Sequence, residues 1–206
     1  MIEFLIGTSL AASAGLNAWM PLFLLGLADR LLPSVVLPAS WSWLSSDLAL
    51  WLLGGMLLLE VVADKIPALD SLNDVIQSIL RPASGGIAFG AGSGAQTIAV
   101  DDPAAFFTDN AWVPVVSGIA IALVVHIAKA TARVAANTVT GGLAAPVLST
   151  AEDGASFMLA ITAIVIPVVA ALLLVGLVIV VVVGARRLAR RRREGGAGQS
   201  AGRVHT

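Results

Sequence analysis

The chain has 206 residues, 58% of them hydrophobic and only 12% charged, with a mean hydropathy of +0.93 and a net charge of −1. A soluble domain carries about 25% charged residues to keep its surface in water, so half that fraction excludes an ordinary water-facing surface. Cysteine is absent, which excludes a disulfide framework and thiolate metal ligation.

The charge is divided along the chain. Seven of the twelve basic residues, Arg186, Arg187, Arg190, Arg191, Arg192, Arg193 and Arg203, lie at the C-terminal end. Residues 1–185 hold five basic against twelve acidic residues, a net of −7. The pattern is an acidic membrane body, 1–185, joined to a basic tail, 186–206.

A spanning helix needs about 20 mostly apolar residues, and five segments qualify. The first runs from Phe4 to Ala28 without a charge. Ala12-Ser13-Ala14 has the look of a signal-peptidase site, but Glu3 stands where a basic flank is expected and the apolar run continues, so a retained helix is favoured. Asn17, four residues before Pro21, marks this span either as locally opened, with freed carbonyls that bind a cation, or as making an interhelical hydrogen bond. The second span, Leu48 to Ala63, contains Glu60. The third, Pro82 to Val100, is uncharged and rich in glycine, which suits close helix packing. Its Gly90-Ala-Gly92-Ser-Gly94 lacks the Lys-Ser/Thr ending of a phosphate loop. The fourth, Asn110 to Ala128, contains His126. The fifth, 154–185, is uncharged throughout and longer than a bilayer core needs, with Pro167 placed to kink it.

Two further segments, Ile66 to Pro82 and Ala130 to Pro146, mix polar and apolar residues at helical spacing. Each either lies at the interface, re-enters, or crosses as a buried polar helix, so the count is five spans, or seven if both cross. A shift of 64 residues aligns Gly54 with Gly118, Lys65 with Lys129, Asn73 with Asn137 and Pro82 with Pro146. This register divides the body into halves of about 10–82 and 83–148 followed by the helix of 154–185. It predicts the same helix-break-helix path in both halves, related in parallel or inverted.

Ionisable residues inside a membrane are costly and are usually paired, hydrated or functional. Glu60 and Asp64 lie four apart with Lys65 beside them, and Asp70 and Asp74 repeat that spacing around Asn73. His126, Lys129, Arg133 and Asn137 step by three, four and four along one helical stripe. Acids of the first half are thus set to meet bases of the second. The candidate binding residues are Asn17, Glu60, Asp64, Lys65, Asp70, Asn73, Asp74, His126, Lys129, Arg133 and Asn137. They form either a hydrated path for an ion or small polar solute, a proton relay included, or an ion-pair network that only holds helices together. No catalytic constellation, metal ligand set or cofactor motif is read from the sequence, and a non-enzymatic protein is expected.

The arginine run Arg186 to Arg193 follows the last span directly. Such flanks stay cytosolic, and an odd number of spans then places the N-terminus outside. The arginines also attract anionic lipid headgroups. The bilayer is the expected partner and nucleic acid is not, while the oligomeric state is not read.

The string Glu60-Val-Val-Ala-Asp-Lys-Ile-Pro-Ala-Leu-Asp-Ser-Leu-Asn-Asp-Val-Ile-Gln77, with Arg81-Pro-Ala-Ser-Gly-Gly-Ile-Ala-Phe89 and Gly15-Leu-Asn-Ala-Trp-Met-Pro-Leu22, resembles the bacterial membrane family known as the domain of unknown function DUF4126. The resemblance covers most of residues 5–180. It implies one multi-pass domain in a bacterial inner membrane and supplies no activity. The expectation is an all-helical transmembrane bundle with a two-fold pseudo-repeat and room for re-entrant or broken helices. Its expected role is transporter or channel, the alternative being a structural or accessory membrane protein.

Overall fold

The computed structural model describes residues 1–97, 110, 112–180, 182–183 and 186, with backbone alone for 67–72 and 74. The chain divides into two units, 1–174 and 175–206. Among the described residues the elements are helices α1 (Ile2–Leu16), α2 (Met20–Leu31), α3 (Asp47–Ala63), α4 (Pro67–Ser93), α5 (Trp112–Thr140), α6 (Ala145–Val165) and α7 (Pro167–Val180), with a short 3₁₀ turn at Ser42–Ser45. One isolated antiparallel bridge joins Val36 to Gln96.

The first apolar segment does not run through as one helix. Pro21 has no N–H to continue an α-helical rung from Asn17, and Asn17 adopts an extended conformation with φ −142° and ψ 120°. Its side-chain Oδ1 accepts from the N–H groups of Trp19 (3.2 Å) and Met20 (3.1 Å), which gives α2 a side-chain start. The two helices then leave in opposite senses. On α1, Gly7 packs against Phe89, and a Cβ at Gly92 would meet Ile6 at 3.3 Å, so the start of α1 lies where α4 finishes. On α2, Ala18 just before it meets Glu60, Gly54 meets Phe23, and Arg30 pairs with Asp47, so α2 runs back along α3. It leads into Val36, whose N–H donates to Gln96 O (3.0 Å) just beyond α4. Both ends of the hairpin therefore lie at one end of the bundle, with the tip at 17–19. The expected first crossing is corrected to a helical hairpin. The parity argument that put the N-terminus opposite the C-terminus loses its basis.

The second expected span matches α3, capped by Ser46 Oγ accepting from Ala49 N–H. The two polar segments that followed the second and fourth spans are not separate elements. Residues 67–82 are the first half of α4 and 130–140 the last third of α5. These helices of 27 and 29 residues are about 40 Å long at 1.5 Å per residue. The last span starts earlier than expected, at Ala145, because Ser149, Glu152 and Ser156 fall on the inward face of α6. It breaks at Ile166 (φ −141°, ψ 76°) before Pro167.

The 64-residue register does not describe the path of the chain. Lys65 lies in the break between α3 and α4, whereas Lys129 lies inside unbroken α5. Pro82 is inside α4, whereas Pro146 is in the first turn of α6. These two pairs fall on unlike positions, and the helix-break-helix path expected for both halves is not followed by unbroken α5.

Helix α1 sits at the centre, against α4, α5 and α6, and from Ile6 to Leu16 all but Thr8 are buried. Helices α4 and α5 cross where Gly85 faces Gly118; a side chain at Gly118 would strike the Gly85 carbonyl and approach Phe89 Cβ to 2.6 Å. Small residues here serve close backbone approach. The outward faces are apolar: Trp51 is 83% exposed, Ile79 76% and Leu172 67%. Helices α5 and α6 are each long and apolar enough to cross a membrane, and only 28% and 33% of their most apolar stretches are buried within the protein.

Candidate functional site

Five charged side chains lie inside. Arg81 is 0% exposed, Asp64 1%, Glu60 and Arg133 2%, and Lys129 5%. A buried charge is tolerated only when paired and hydrogen-bonded, and these are paired with one another. Asp64, at the C-terminal end of α3, is the hub. Its Oδ2 faces Arg133 Nη2 (3.3 Å), Lys129 Nζ (3.4 Å) and Arg81 Nη2 (3.7 Å). Its Oδ1 accepts from Asn73 Nδ2 at 2.6 Å. Three bases on one carboxylate need further acids. Glu152 of α6 supplies one, accepting from Arg133 Nε (3.0 Å) and Nη2 (2.5 Å) and from Lys129 Nζ at 3.1 Å. Glu60 supplies another, accepting from Arg81 Nη2 at 2.9 Å. Three carboxylates thus balance three bases.

The network grips the tip of the hairpin. Lys129 Nζ donates to the Leu16 carbonyl (2.9 Å), one of the last-turn acceptors of α1. Glu60 Oε2 accepts from Ala18 N–H (3.1 Å), at the start of α2. A cation therefore sits at a helix C-terminus and an anion at a helix N-terminus, each matched to the local dipole. Asn17 Nδ2 donates to Asp153 Oδ1 (3.1 Å), and Asp153 Oδ2 faces Lys65 Nζ (3.3 Å), which is half-exposed and also donates to Val61 O. Below the tip, Ser13 and Ser156 exchange hydroxyl–carbonyl hydrogen bonds of 2.8 and 3.0 Å between α1 and α6.

His126 extends the network along α5. Its Nδ1 lies 3.0 Å from Arg81 Nη1 and its Nε2 lies 3.1 Å from Ser78 Oγ.

Of the residues singled out from the sequence, Glu60, Asp64, Asn73, His126, Lys129 and Arg133 come together directly, and Asn17 and Lys65 are linked to each other by Asp153 beside them. Asn137, one turn beyond Arg133, is only partly buried, and among the described residues its Oδ1 has no hydrogen-bond partner. Asp70 and Asp74 are on α4, but their side chains lie outside the described residues. Arg186 is described, while Arg187 to Arg193 are not.

Arg81, Glu152 and Asp153 were not among the expected residues, and all three are central. Arg81 had a signal: with Asn73 and Gln77 it makes an i, i+4, i+8 stripe. Glu152 and Asp153 read as the polar boundary of an uncharged run. Only the helix starting at Ala145 turns them inward. Among the described residues no group of histidines and carboxylates has a metal-holding arrangement.

Residues 4–187, most of the chain, match the family described as Domain of unknown function (DUF4126). No curated protein and no solved structure matches the chain.

Proposed function

We propose that the chain, which belongs to the DUF4126 family on that match, is a multi-pass membrane protein whose buried network is a transport site for an ion or small polar solute. The inverted build supports the membrane setting: charges are held inside and large apolar side chains face outward. In a bilayer, α3 to α6 traverse four times in alternating direction and α1–α2 enters and leaves by one face. Irregular backbone at membrane depth is tolerated only where protein buries it or water lines it, and residues 17 and 18 are fully buried. The arginine run after α7 keeps the C-terminus in the cytosol of a bacterial inner membrane, close to anionic lipid headgroups.

The observation that carries transport is the hairpin tip. Two half-helix ends meet there, one bound by the Lys129 ammonium and the other by the Glu60 carboxylate. Discontinuous helices in carriers aim their termini at solute charges in this way. Here the protein's own side chains hold both places, so a solute must compete with a tethered ammonium or carboxylate. The reading assigns no catalytic step.

A structural role is the second reading. The even balance of three carboxylates and three bases favours it, since a fully paired network needs no solute. Reconstitution into liposomes with a panel of inorganic ions and small polar solutes separates the two. Flux above protein-free vesicles for at least one solute supports transport. A folded protein that moves none of them supports the structural role.

A further inference from the structure

We infer that His126 is the proton-binding site of this network, and that a proton on its Nδ1 displaces Arg81 and so releases Glu60 from the hairpin tip. The inference deepens the transport reading by naming the coupling ion and rests on that reading for its flux arm.

The tautomer follows from the partner. A guanidinium has donors only, so at 3.0 Å it is Arg81 Nη1–H that donates and His126 Nδ1 that accepts. Nδ1 is therefore bare and the ring neutral, with its one proton on Nε2 directed at Ser78 Oγ. Protonation adds one N–H bond at the Nδ1 lone pair. The proton comes from bulk water, the Arg81 hydrogen bond is lost, and no covalent bond breaks. Two cations would then face each other at hydrogen-bond distance.

The surroundings decide which group moves. From α4, Arg81 and Ser78 face the ring, and behind Arg81 stand Glu60 and Asp64 at the C-terminal end of α3. Lys129 and Arg133 follow on α5 itself, held by Asp64 and by Glu152 of α6. From α1 come Gly15, which packs on Val125, and the Leu16 carbonyl, which Lys129 occupies. Those charges balance, so an added proton leaves one positive charge in excess. Arg81 is the base that touches the ring. An acceptor awaits it: Gln77, one turn earlier on the same face of α4, is 2% exposed, and among the described residues its Oε1 has no hydrogen-bond partner. Movement of Arg81 toward Gln77 withdraws Nη2 from Glu60 Oε1, and Glu60 Oε2 is the group that holds Ala18 N–H at the tip. Proton uptake is thereby wired to the hairpin in two contacts.

The chain has only two histidines, His126 and His205, so ¹⁵N-histidine labelling in lipid nanodiscs gives two resolvable rings, assigned with His126→Gln. The expected result near neutral pH is a His126 ring with bare Nδ1 and protonated Nε2. It should become doubly protonated when the sample is acidified from neutral pH. Gln77→Leu should delay that uptake to lower pH. A ring carrying its proton on Nδ1, or one that stays neutral throughout, overturns the inference whether or not transport occurs. In the flux arm, wild-type flux should change several-fold on the same acidification and His126→Gln should lose the dependence. An unchanged pH profile in folded His126→Gln overturns the proton role and leaves transport standing. Absent flux in every protein defeats transport and leaves the ring measurement to decide the proton site.

Discussion

Asp64→Asn is the sharpest single perturbation of the network. The change keeps the side-chain volume and removes one charge, leaving two carboxylates, Glu60 and Glu152, against Arg81, Lys129 and Arg133. Asp64 is 1% exposed and its Oδ2 faces all three bases, so water does not make up the loss. Stranding a buried charge in this way costs about 3–5 kcal/mol. Against a typical total of about 5–15 kcal/mol, that is about a fifth of the stability or more. The unfolding midpoint of Asp64→Asn in detergent titration, followed through the tryptophans, should fall accordingly. Adding Lys129→Met returns the balance to two against two and should recover most of the loss. The two changes should therefore be strongly non-additive, by about 0.5–3 kcal/mol. A cost for Asp64→Asn below about 1 kcal/mol, the range of a solvent-exposed pair, would refute the dry, paired network.

Cysteine scanning on this cysteine-free chain tests the hairpin: Ile2→Cys and Ser34→Cys should react with an impermeant maleimide from one side of the membrane and Gly142→Cys from the other. Labelling of Ile2→Cys and Ser34→Cys from opposite sides would mean that the first segment crosses. Asn17→Ala removes the acceptor for Trp19 and Met20 N–H and the donor to Asp153, and a lost helix-start contact of this kind should lower stability by about 1–2 kcal/mol. Gly15→Leu drives side-chain atoms into Val125 and the Ala122 carbonyl, whereas Gly55→Ala meets open space. The first should cost about 1–3 kcal/mol by overpacking, and the second should cost nothing measurable in the same unfolding titration.

The parts of the fold legible in the sequence were those written in uninterrupted apolar runs and in the spacing of charges. The run from Leu48 to Ala63 gave α3 nearly to the residue, and the steps His126, Lys129, Arg133 placed three network members on one face of α5. The joining of first-half acids to second-half bases was legible for the same reason: lipid offers no partner to either. Direction was not legible. An apolar run around Asn17 and Pro21 reads alike whether the chain passes through or turns back, and only contacts with Phe89, Gly54 and Asp47 fix the turn. Helix ends misled elsewhere. Glu152 and Asp153 read as a boundary because α6 begins in a polar stretch, and Arg81 went unnoticed because the segment holding it was separated from the apolar run that continues the same helix. The 64-residue register does not carry over to the path of the chain because Lys65 marks a break where Lys129 lies in helix interior, and Pro82 lies in helix interior where Pro146 opens α6.

The most direct test of the central claim compares solute flux through liposomes carrying wild-type protein and the charge-balanced pair Asp64→Asn with Lys129→Met. The pair removes the hub carboxylate and the tethered ammonium while leaving the buried charge balanced. If the network is a transport site, wild-type vesicles pass at least one solute of the panel and vesicles with the folded pair lose that flux. Equal flux from the folded pair, or none from folded wild-type protein, would contradict the account.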